Sequence, residues 1–329
     1  MKAVQVARFG GAEELTLADV PRPDAGPGEA RIKLELSGVN FIDIYMRDGS
    51  YSRSRTYVTP LPMTLGMEGC GMVDAVGANV DGIKPGDRVA YCISRGSYAE
   101  YTVVPAWRLV PVPSTVPAEI ATALMLQGST AHYLTHSAFR LEPGMICLVH
   151  AGAGGVGQLL VQLAKRRGAR VIATVGSPAK AEIARSRGAD HCILYRETDF
   201  REEVMRFTGG KGVNVVYDSV GRDTLPKSLR SLGRRGTCIN FGASSGQADP
   251  VSVLDLAEAG SVYLTRPHLS DYMTSADEIR GRASDLFAAR ESGALVVAID
   301  REFPLSAVAE AHRILESRGT KGKLLLRVA

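Results

Sequence analysis

The sequence has little of several features that mark special classes of protein. Its 329 residues contain 5 cysteines and 1 tryptophan, and it has no uncharged apolar run of the roughly 18 residues that a membrane span needs. The first residues include Lys2 and Arg8 but no apolar segment, so the N-terminus does not resemble a secretory signal. These absences predict a cytoplasmic protein that does not span or enter a membrane.

The cysteines are too few and too scattered for a disulfide framework or a clustered zinc site, because no two of them form a CxxC pair. We therefore expect five reduced thiols, of the kind found in the cytosol. They are Cys70, Cys92, Cys147, Cys192 and Cys238.

An excess of charge of one sign is also missing. Lys and Arg number 39 against 35 Asp and Glu, which gives a net charge of +4. This weak charge, without interleaved basic and aromatic residues, argues against a nucleic-acid partner. Hydrophobic residues make up 45% of the chain and charged residues 22%, as in ordinary globular proteins. The chain is long enough for about two domains.

The first third of the chain has the pattern of a β-rich domain. Ile32, Leu34 and Leu36 alternate with polar neighbours, as in a half-buried strand, and a second alternating stretch covers residues 98–104. Pro and Gly punctuate this region densely, which is typical of short strands joined by turns. Helices over residues 276–292 and 306–317 and a closing strand over 323–328 follow at the other end.

The middle of the chain alternates regularly between strands and helices. This pattern predicts an α/β fold with a Rossmann-type, doubly wound parallel sheet. We place this domain at residues 127–265 and the β-rich domain at residues 1–126 and 266–329. The six strands are predicted at residues 147–151, 170–175, 191–195, 213–218, 236–241 and 261–265.

A glycine-rich turn stands between the first of these strands and the helix that follows it. It fits the pattern G-x-G-x-x-G, in which the three glycines permit a tight turn, close approach of a pyrophosphate and close packing of helix on strand. The N-terminus of the helix adds N–H groups and a partial positive charge. We therefore expect a dinucleotide on Gly152, Ala153, Gly154, Gly155, Val156 and Gly157.

The end of the second strand indicates which dinucleotide binds. NAD sites carry an Asp or Glu there for the ribose hydroxyls, but residues 170–181 contain no acid. Gly176, Ser177 and Lys180 stand there instead, and a hydroxyl and an ammonium group suit a 2′-phosphate. The sequence therefore favours NADPH over NADH.

At this point the chain resembles the medium-chain dehydrogenases/reductases, over essentially its whole length. The zinc alcohol dehydrogenases of that family hold their metal with a Cys and with the His of a Gly-His-Glu motif. Here Asn40 stands at the position of the Cys, and Met67 at that of the His. Neither residue is a usual zinc ligand, so we expect no metal.

The chain is most similar to the zinc-free quinone oxidoreductases of the zeta-crystallin type, which implies a β-rich GroES-like catalytic domain. The similarity lies in blocks such as residues 40–45, 151–157, 175–180, 216–221, 241–246 and 315–318. It implies a homodimer, and Lys180, Tyr195 and Arg318 at the 2′-phosphate. It also implies that NADPH contacts Asn40, Asp43, Tyr45, Gln127, Thr130, Ser219, Phe241, Gly242, Ser244 and Arg266.

Without a metal ligand set or a flavin motif, the expected reaction is direct hydride or single-electron reduction of a quinone by NADPH. Negative charge then develops on the acceptor oxygen, and a hydrogen-bond donor would stabilise it. Tyr45 is the first candidate for this catalytic donor and Asn40 the second, while Asp43 would orient a neighbouring group.

Two other functions fit the same residues. The first is zinc-free, NADPH-dependent reduction of a 2-alkenal, an enone or an enoyl thioester, which needs the same hydride donor. The second is an NADPH-binding protein with a structural or RNA-binding role, which the weak net charge disfavours. The physiological acceptor does not follow from the sequence, because substrate pockets vary through their loops.

Overall fold

The computed structural model describes residues 1–328, which divide into two compact units. Among these residues the first unit comprises 1–129 and 273–328, and the second comprises 130–272. The boundaries expected from the sequence fall at residues 126 and 265, a few residues before these points. Among residues 1–328 no helix is both long and apolar enough to span a membrane.

The second unit consists of a parallel six-stranded sheet with helical connections. Its strands are β9 (Ile146–Val149), β10 (Arg170–Val175), β11 (His191–Leu194), β12 (Val213–Asp218), β13 (Leu232–Asn240) and β14 (Tyr263–Thr265). Its helices are α3 (Ser129–Tyr133), α4 (Gly155–Arg166), α5 (Pro178–Ser186), α6 (Phe200–Phe207), α7 (Leu225–Leu229) and α8 (Val253–Glu258). A π-helix covers Leu134–Ala138 and a 3-10 turn covers Leu269–Tyr272.

The strand order β11-β10-β9-β12-β13-β14 is that of a doubly wound dinucleotide-binding sheet. The order reverses between β9 and β12, so the carboxyl ends of these strands flank the position where such sheets bind ligands. Buried apolar residues such as Leu148, Ile172 and Val216 fill the space between the sheet and the helices. The predicted α/β fold is confirmed.

The first unit is β-rich. Its strands are β1 (Lys2–Val6), β2 (Thr16–Asp19), β3 (Glu29–Val39), β4 (Met63–Thr64), β5 (Glu68–Val76), β6 (Arg88–Cys92), β7 (Tyr101–Pro105), β8 (Val110–Pro111), β15 (Ile299–Pro304) and β16 (Lys323–Arg327). Its helices are α1 (Phe41–Arg47), α2 (Ala118–Ala123), α9 (Ala276–Glu291) and α10 (Val308–Glu316). Shorter turns cover Ala12–Glu14, Ala106–Arg108, Leu124–Gly128 (a π-helix) and Leu305–Ala307.

The long strand β3 organises this unit. It pairs with β5, β7 and β16, all antiparallel, and its register shifts twice against β5. β7 pairs with residues 29–33 and β16 with residues 36–39, so β3 is long enough to have three partners. The pairing with β16 brings the C-terminal strand to the residues that precede α1, which positions the buried groups described below.

Helix ends follow the signals in the sequence. The Ser177 hydroxyl caps α5 by accepting from the Lys180 N–H at 3.4 Å, and Pro178 is the first helical residue. Gly168 and Gly188 follow the ends of α4 and α5 with φ of 76° and 100°. This left-handed conformation ends a helix at little cost only in glycine.

Candidate functional site

The glycine-rich turn joins β9 to α4 in the second unit. Gly154 is the N-cap of α4, and its N–H donates to the Ala151 carbonyl at 2.9 Å. The residue with left-handed backbone is Ala151, with φ 53°, rather than Gly152. Gly152 is needed for a different reason, since a Cβ there would lie 2.7 Å from Cβ of Ala173 in β10.

The other two glycines of the motif differ in how tightly the protein encloses them. A Cβ on Gly157 would lie 2.1 Å from the Ala151 carbonyl oxygen, so only glycine lets α4 pack this close to the turn. A Cβ on Gly154 would meet only that same oxygen, at 3.2 Å. The backbone at Gly154 is therefore open on its other sides, as approach of a pyrophosphate requires, and it precedes the free N–H groups of a 12-residue helix.

The carboxyl end of β10 brings together four residues expected at the 2′-phosphate. Ser177 and Lys180 lie in the first turn of α5, joined by the capping hydrogen bond. A Cβ on Gly176 would lie 3.0 Å from the Tyr195 hydroxyl, so the tyrosine ring covers this glycine. Tyr195 is 46% exposed, which leaves part of its side chain available to a ligand.

The ends of β12 and β13 hold a second group of expected cofactor contacts. A Cβ on Gly242 would lie 2.5 Å from the Ser219 carbonyl oxygen, which itself accepts from the Ser244 N–H at 3.2 Å. Phe241 follows β13, and Arg266 donates to the carbonyl of the last β13 residue, Asn240, at 2.9 Å. Within the second unit, these residues all lie at the carboxyl ends of parallel strands.

A buried polar network that the motifs did not reveal supports these strand ends. Asp218 accepts from the N–H groups of Val220 and Gly221 at 2.9 and 3.0 Å and from the Ser228 hydroxyl at 2.8 Å. His150, directly before the glycine-rich turn, contacts the Ser228 hydroxyl through Nε2 at 2.9 Å. Burial lowers the pKa of His150, so a neutral imidazole links the ends of β9 and β12.

In the first unit, Asn40 lies at the N-terminus of α1 beside a fully buried ion pair that sequence reasoning also missed. Glu68 and Lys323 are both 0% exposed and are hydrogen-bonded to each other. The Asn40 amide joins them, because Nδ2 donates to Glu68 Oε2 at 2.9 Å and Oδ1 accepts from Lys323 Nζ at 2.7 Å. A Cβ on Gly38 would lie 1.9 Å from that Glu68 oxygen, so glycine is required beside the pair.

Asp43 is completely buried and receives a directed chain of hydrogen bonds. Its Oδ2 accepts from the Asn40 N–H at 2.9 Å and from the Tyr98 hydroxyl at 3.1 Å. The Tyr98 hydroxyl also contacts His312 Nε2 at 3.1 Å, and His312 Nδ1 lies 3.0 Å from Arg47 Nη1. Asp43 thus caps α1, and His312 of α10 is linked to it through the Tyr98 hydroxyl.

The direction of this chain follows from its last member. Arg47 can only donate, so His312 Nδ1 must accept and its proton must lie on Nε2. Burial, aided by Arg47, lowers the pKa of His312 to about 3, which keeps the ring neutral. Tyr98 then accepts from His312 and donates to Asp43. Burial raises the pKa of Asp43 to about 7 despite these donors.

Tyr45, the first candidate donor, lies on α1 one turn after Phe41. It begins an aromatic row, which we call the tyrosine series, formed by Tyr45, Tyr51 and Tyr57. The ring centroids are 5.4 Å apart at each step, and the rings of Tyr51 and Tyr57 are stacked. Tyr57 is buried in the core of this unit, whereas Tyr45 and Tyr51 are partly exposed and offer flat apolar surface of the kind that planar conjugated ligands pack against.

Three expected cofactor contacts lie apart from these groups along the chain. Gln127 is in the π-helix Leu124–Gly128, and Thr130 is in α3. Arg318 is exposed and follows the end of α10, with φ 57°. Gln127 and Arg318 belong to the first unit and Thr130 to the second.

The position expected for a zinc ligand is occupied by an apolar side chain. Met67 is 4% exposed and packs in the core of the first unit. Within residues 1–328, no group of three His, Cys, Asp or Glu side chains is arranged to hold a metal ion.

Comparison with known families and proteins places these features in context. Residues 26–114 match the alcohol dehydrogenase GroES-like domain, and residues 155–289 match the zinc-binding dehydrogenase family. A 2-haloacrylate reductase from a Burkholderia species is 40% identical over 328 residues, which cover 98% of both chains. The quinone oxidoreductase of Pseudomonas aeruginosa is 40% identical over 326 residues, covering 99% of both.

The solved structures include a very similar protein. The crystal structure of Escherichia coli quinone oxidoreductase complexed with NADPH matches with a TM-score of 0.96 at 39% identity, over 100% of both chains. At this level of identity and coverage, the similarity extends through both units.

Proposed function

Because the chain belongs to the zinc-independent quinone oxidoreductases of the medium-chain dehydrogenase/reductase family, we propose that it reduces quinones with NADPH. The observation that carries the proposal is the cluster at the end of β10. There Ser177 follows Gly176 directly, Tyr195 covers Gly176, and Lys180 lies in the first turn of α5, while residues 170–181 contain no acid. A hydroxyl, an ammonium group and free N–H groups bind a 2′-phosphate, which a carboxylate would repel.

The residues of the second unit suit this cofactor along its length. The open backbone at Gly154 and the N-terminus of α4 would hold the pyrophosphate, and Lys180 and Tyr195 the adenosine 2′-phosphate. The remaining contacts of this unit would be Thr130, Ser219, Phe241, Gly242, Ser244 and Arg266, toward the nicotinamide. In the first unit, Asp43 and Asn40 are 0% and 3% exposed, so their side chains hold neighbouring groups rather than a ligand. When bound, NADPH supplies the hydride, and the protein supplies position and electrostatics.

Tyr45 is the proposed catalytic donor to the acceptor oxygen, with Asn40 in a positioning role. Both Nδ2 contacts of Asn40 are made to protein oxygens, those of Gly38 and Glu68, at 3.3 and 2.9 Å. Tyr45→Phe tests the assignment, because it removes the hydroxyl and keeps the ring. We expect kcat to fall about tenfold or more with KM for NADPH unchanged. An unchanged kcat would remove Tyr45 from catalysis.

A second candidate is reduction of the double bond of a conjugated carbonyl compound. The observation that favours it is the 40% identity to a 2-haloacrylate reductase over 98% of the chain. Hydride addition to an enone also develops negative charge on a carbonyl oxygen, so the same donor would serve.

The decisive experiment follows NADPH oxidation by the purified protein with naphthoquinone and, separately, with a 2-alkenal, each in the presence of a chelator. Saturable oxidation with naphthoquinone, unaffected by the chelator, is the expected result. Saturable oxidation with the alkenal alone would select the second candidate. A reversible loss of turnover on chelation would contradict the metal-free reaction.

We also propose a homodimer assembled through the second unit. Its sheet ends at β14, where Tyr263 is 62% exposed, and in the neighbouring α8 Val253 and Leu254 are 83% and 67% exposed. An apolar edge strand of this kind supports pairing with a second copy. Light scattering measures the mass of the wild type and of Tyr263→Lys. A monomeric mass for the wild type that the substitution does not change would contradict the proposed dimer.

The cysteines support a cytoplasmic location. All five are free, and only Cys192 is not fully buried. A reduced set of this kind is typical of reducing compartments.

A further inference from the structure

Two half-buried guanidinium groups of the first unit, those of Arg95 and Arg108, have no acidic partner among residues 1–328. The one hydrogen bond of the Arg95 side chain runs from Nη1 to the Val58 carbonyl at 2.7 Å. Arg108 lies over the ring of Trp107, with 4.3 Å from Cζ to the centroid, and its Nη1 is buried without a hydrogen-bond partner. Partial burial of a guanidinium group costs free energy unless an anion or hydrogen-bond acceptors pair with its N–H groups.

Both groups lie at the far end of the tyrosine series. Val58, which Arg95 contacts, follows Tyr57 directly in the chain. Arg108 is close enough to Tyr57 for the two side chains to interact electrostatically. The series therefore leads from Tyr45, the proposed catalytic donor, toward two cations.

The segment that carries Tyr51, Tyr57 and Val58 has no negative charge of its own. Between Asp48 and Glu68 the sequence has no acidic residue, and it adds the exposed Arg53 and Arg55. Other arginines of this unit are paired with acidic side chains. Arg22 and Arg31, for example, both pair with Asp74, at 3.0 and 2.6 Å.

Backbone hydrogen bonds on both sides of Arg95 fix the conformation of the loop that carries it. Ile93 has φ 59°, a conformation that is strained for a β-branched residue, and its N–H donates to the Met67 carbonyl at 2.8 Å. Gly96, with φ 113°, donates to the Gly66 carbonyl at 2.8 Å. Strain of this kind persists where the surrounding structure enforces it, often beside a functional group.

From this arrangement we infer that Arg95 and Arg108 bind an anionic substituent of the acceptor, whose conjugated ring packs on Tyr45 and Tyr51, the partly exposed members of the tyrosine series. The substrate class is thus a quinone or conjugated carbonyl compound that carries a carboxylate or a comparable anion. This inference rests on the proposed function, since it concerns the acceptor of the same reaction. Guanidinium groups suit such ligands because their paired N–H donors match two oxygens of one anion.

The test compares kcat/KM for naphthoquinone sulfonate with that for uncharged naphthoquinone, at saturating NADPH. Dividing the kcat/KM for the sulfonate by that for naphthoquinone cancels effects of a substitution that are common to both acceptors. Comparing this ratio between variants and wild type cancels the difference in reactivity between the two acceptors. In Arg95→Met and in Arg108→Met we expect the ratio to fall about tenfold to a hundredfold, as for loss of a charge-assisted hydrogen bond. KM for NADPH should not change.

Two further variants control the result. Arg95→Lys keeps the charge and should retain most of the preference for the sulfonate. Arg22→Met removes the same charge from a guanidinium that is already paired with Asp74, and should leave the ratio unchanged. The inference is overturned if either Arg95→Met or Arg108→Met keeps the wild-type ratio, or if Arg22→Met lowers it equally.

A binding measurement separates this inference from the proposed function. Trp107 is the only tryptophan, and its contact with Arg108 makes its emission a direct probe. Wild-type protein should bind benzenesulfonate at least about tenfold more tightly than benzenesulfonamide, and both arginine variants should lose that difference. If neither quinone is reduced, the proposed function fails, and this titration alone decides the inference. Equal binding of the two compounds would overturn it.

Discussion

Lys323→Met tests the buried ion pair that holds Asn40. The substitution keeps an unbranched side chain in β16 but removes the cation that Glu68 and Asn40 share. Glu68 would remain buried with only the Asn40 amide and the Leu126 N–H, at 2.9 and 2.6 Å, as donors. Removing one partner of a buried pair costs about 3–5 kcal/mol, so we expect the unfolding free energy of this unit to fall by that amount.

Urea unfolding followed through the emission of Trp107 measures this loss, because the single tryptophan lies in the same unit as Lys323. The double variant Glu68→Gln with Lys323→Met should recover most of it, since it leaves no unpaired charge. Lys2→Met is the matched control, because the Lys2–Asp19 pair is 52% and 76% exposed and is screened by solvent, so its loss should change the stability little.

The reasoning would be refuted by a loss below about 1 kcal/mol in Lys323→Met, which is the range of an exposed pair. It would also be refuted if the double variant were no more stable than the single one, because the cost would then not come from an unpaired carboxylate.

Three other expectations concern the cofactor site and α1. Gly157→Ala should weaken NADPH binding at least about tenfold, because its Cβ would lie 2.1 Å from the Ala151 oxygen. Gly281→Ala, whose Cβ would have open space around it, should not weaken binding. Calorimetric titration of both variants with NADPH measures the difference. Lys180→Glu should raise KM for NADPH strongly and KM for NADH little, and equal losses would show that Lys180 does not contact the 2′-phosphate. The pKa of Asp43 is raised to about 7, so its contribution to stability is complete below about pH 4 and is lost as the pH rises to about 7. Asp43→Asn should remove that decline from the pH dependence of urea unfolding, and an unchanged pH profile would contradict it.

The second unit could be predicted from the sequence in some detail because its signals are local. Strand periodicity gave β10 and β12 with their observed bounds, and Ser177 followed by Pro178 placed the start of α5. β13 begins at Leu232, four residues earlier than expected, where its register against β12 shifts. A bulge of this kind leaves no clear trace in a single sequence.

The first unit was predictable only as β-rich, because its pairing depends on contacts between distant residues. Lys323 and Glu68 are 255 positions apart, and Tyr98 and His312 are 214 apart. No spacing rule connects residues this far apart, so the groups that support Asn40 and Asp43 became visible only in the fold. The glycine-rich turn, by contrast, lies within one strand–turn–helix unit, and Lys180 lies in the helix that follows the next strand.

The central claim is that the chain binds a phosphorylated nicotinamide dinucleotide at the carboxyl ends of β9 and β10. Calorimetric titration of the purified protein with NADPH and with NADH, under identical conditions, tests it most directly. The account predicts saturable heat with NADPH and an affinity at least about tenfold weaker for NADH, as for a lost charge-assisted contact. No heat with NADPH, or equal affinity for both nucleotides, would contradict it.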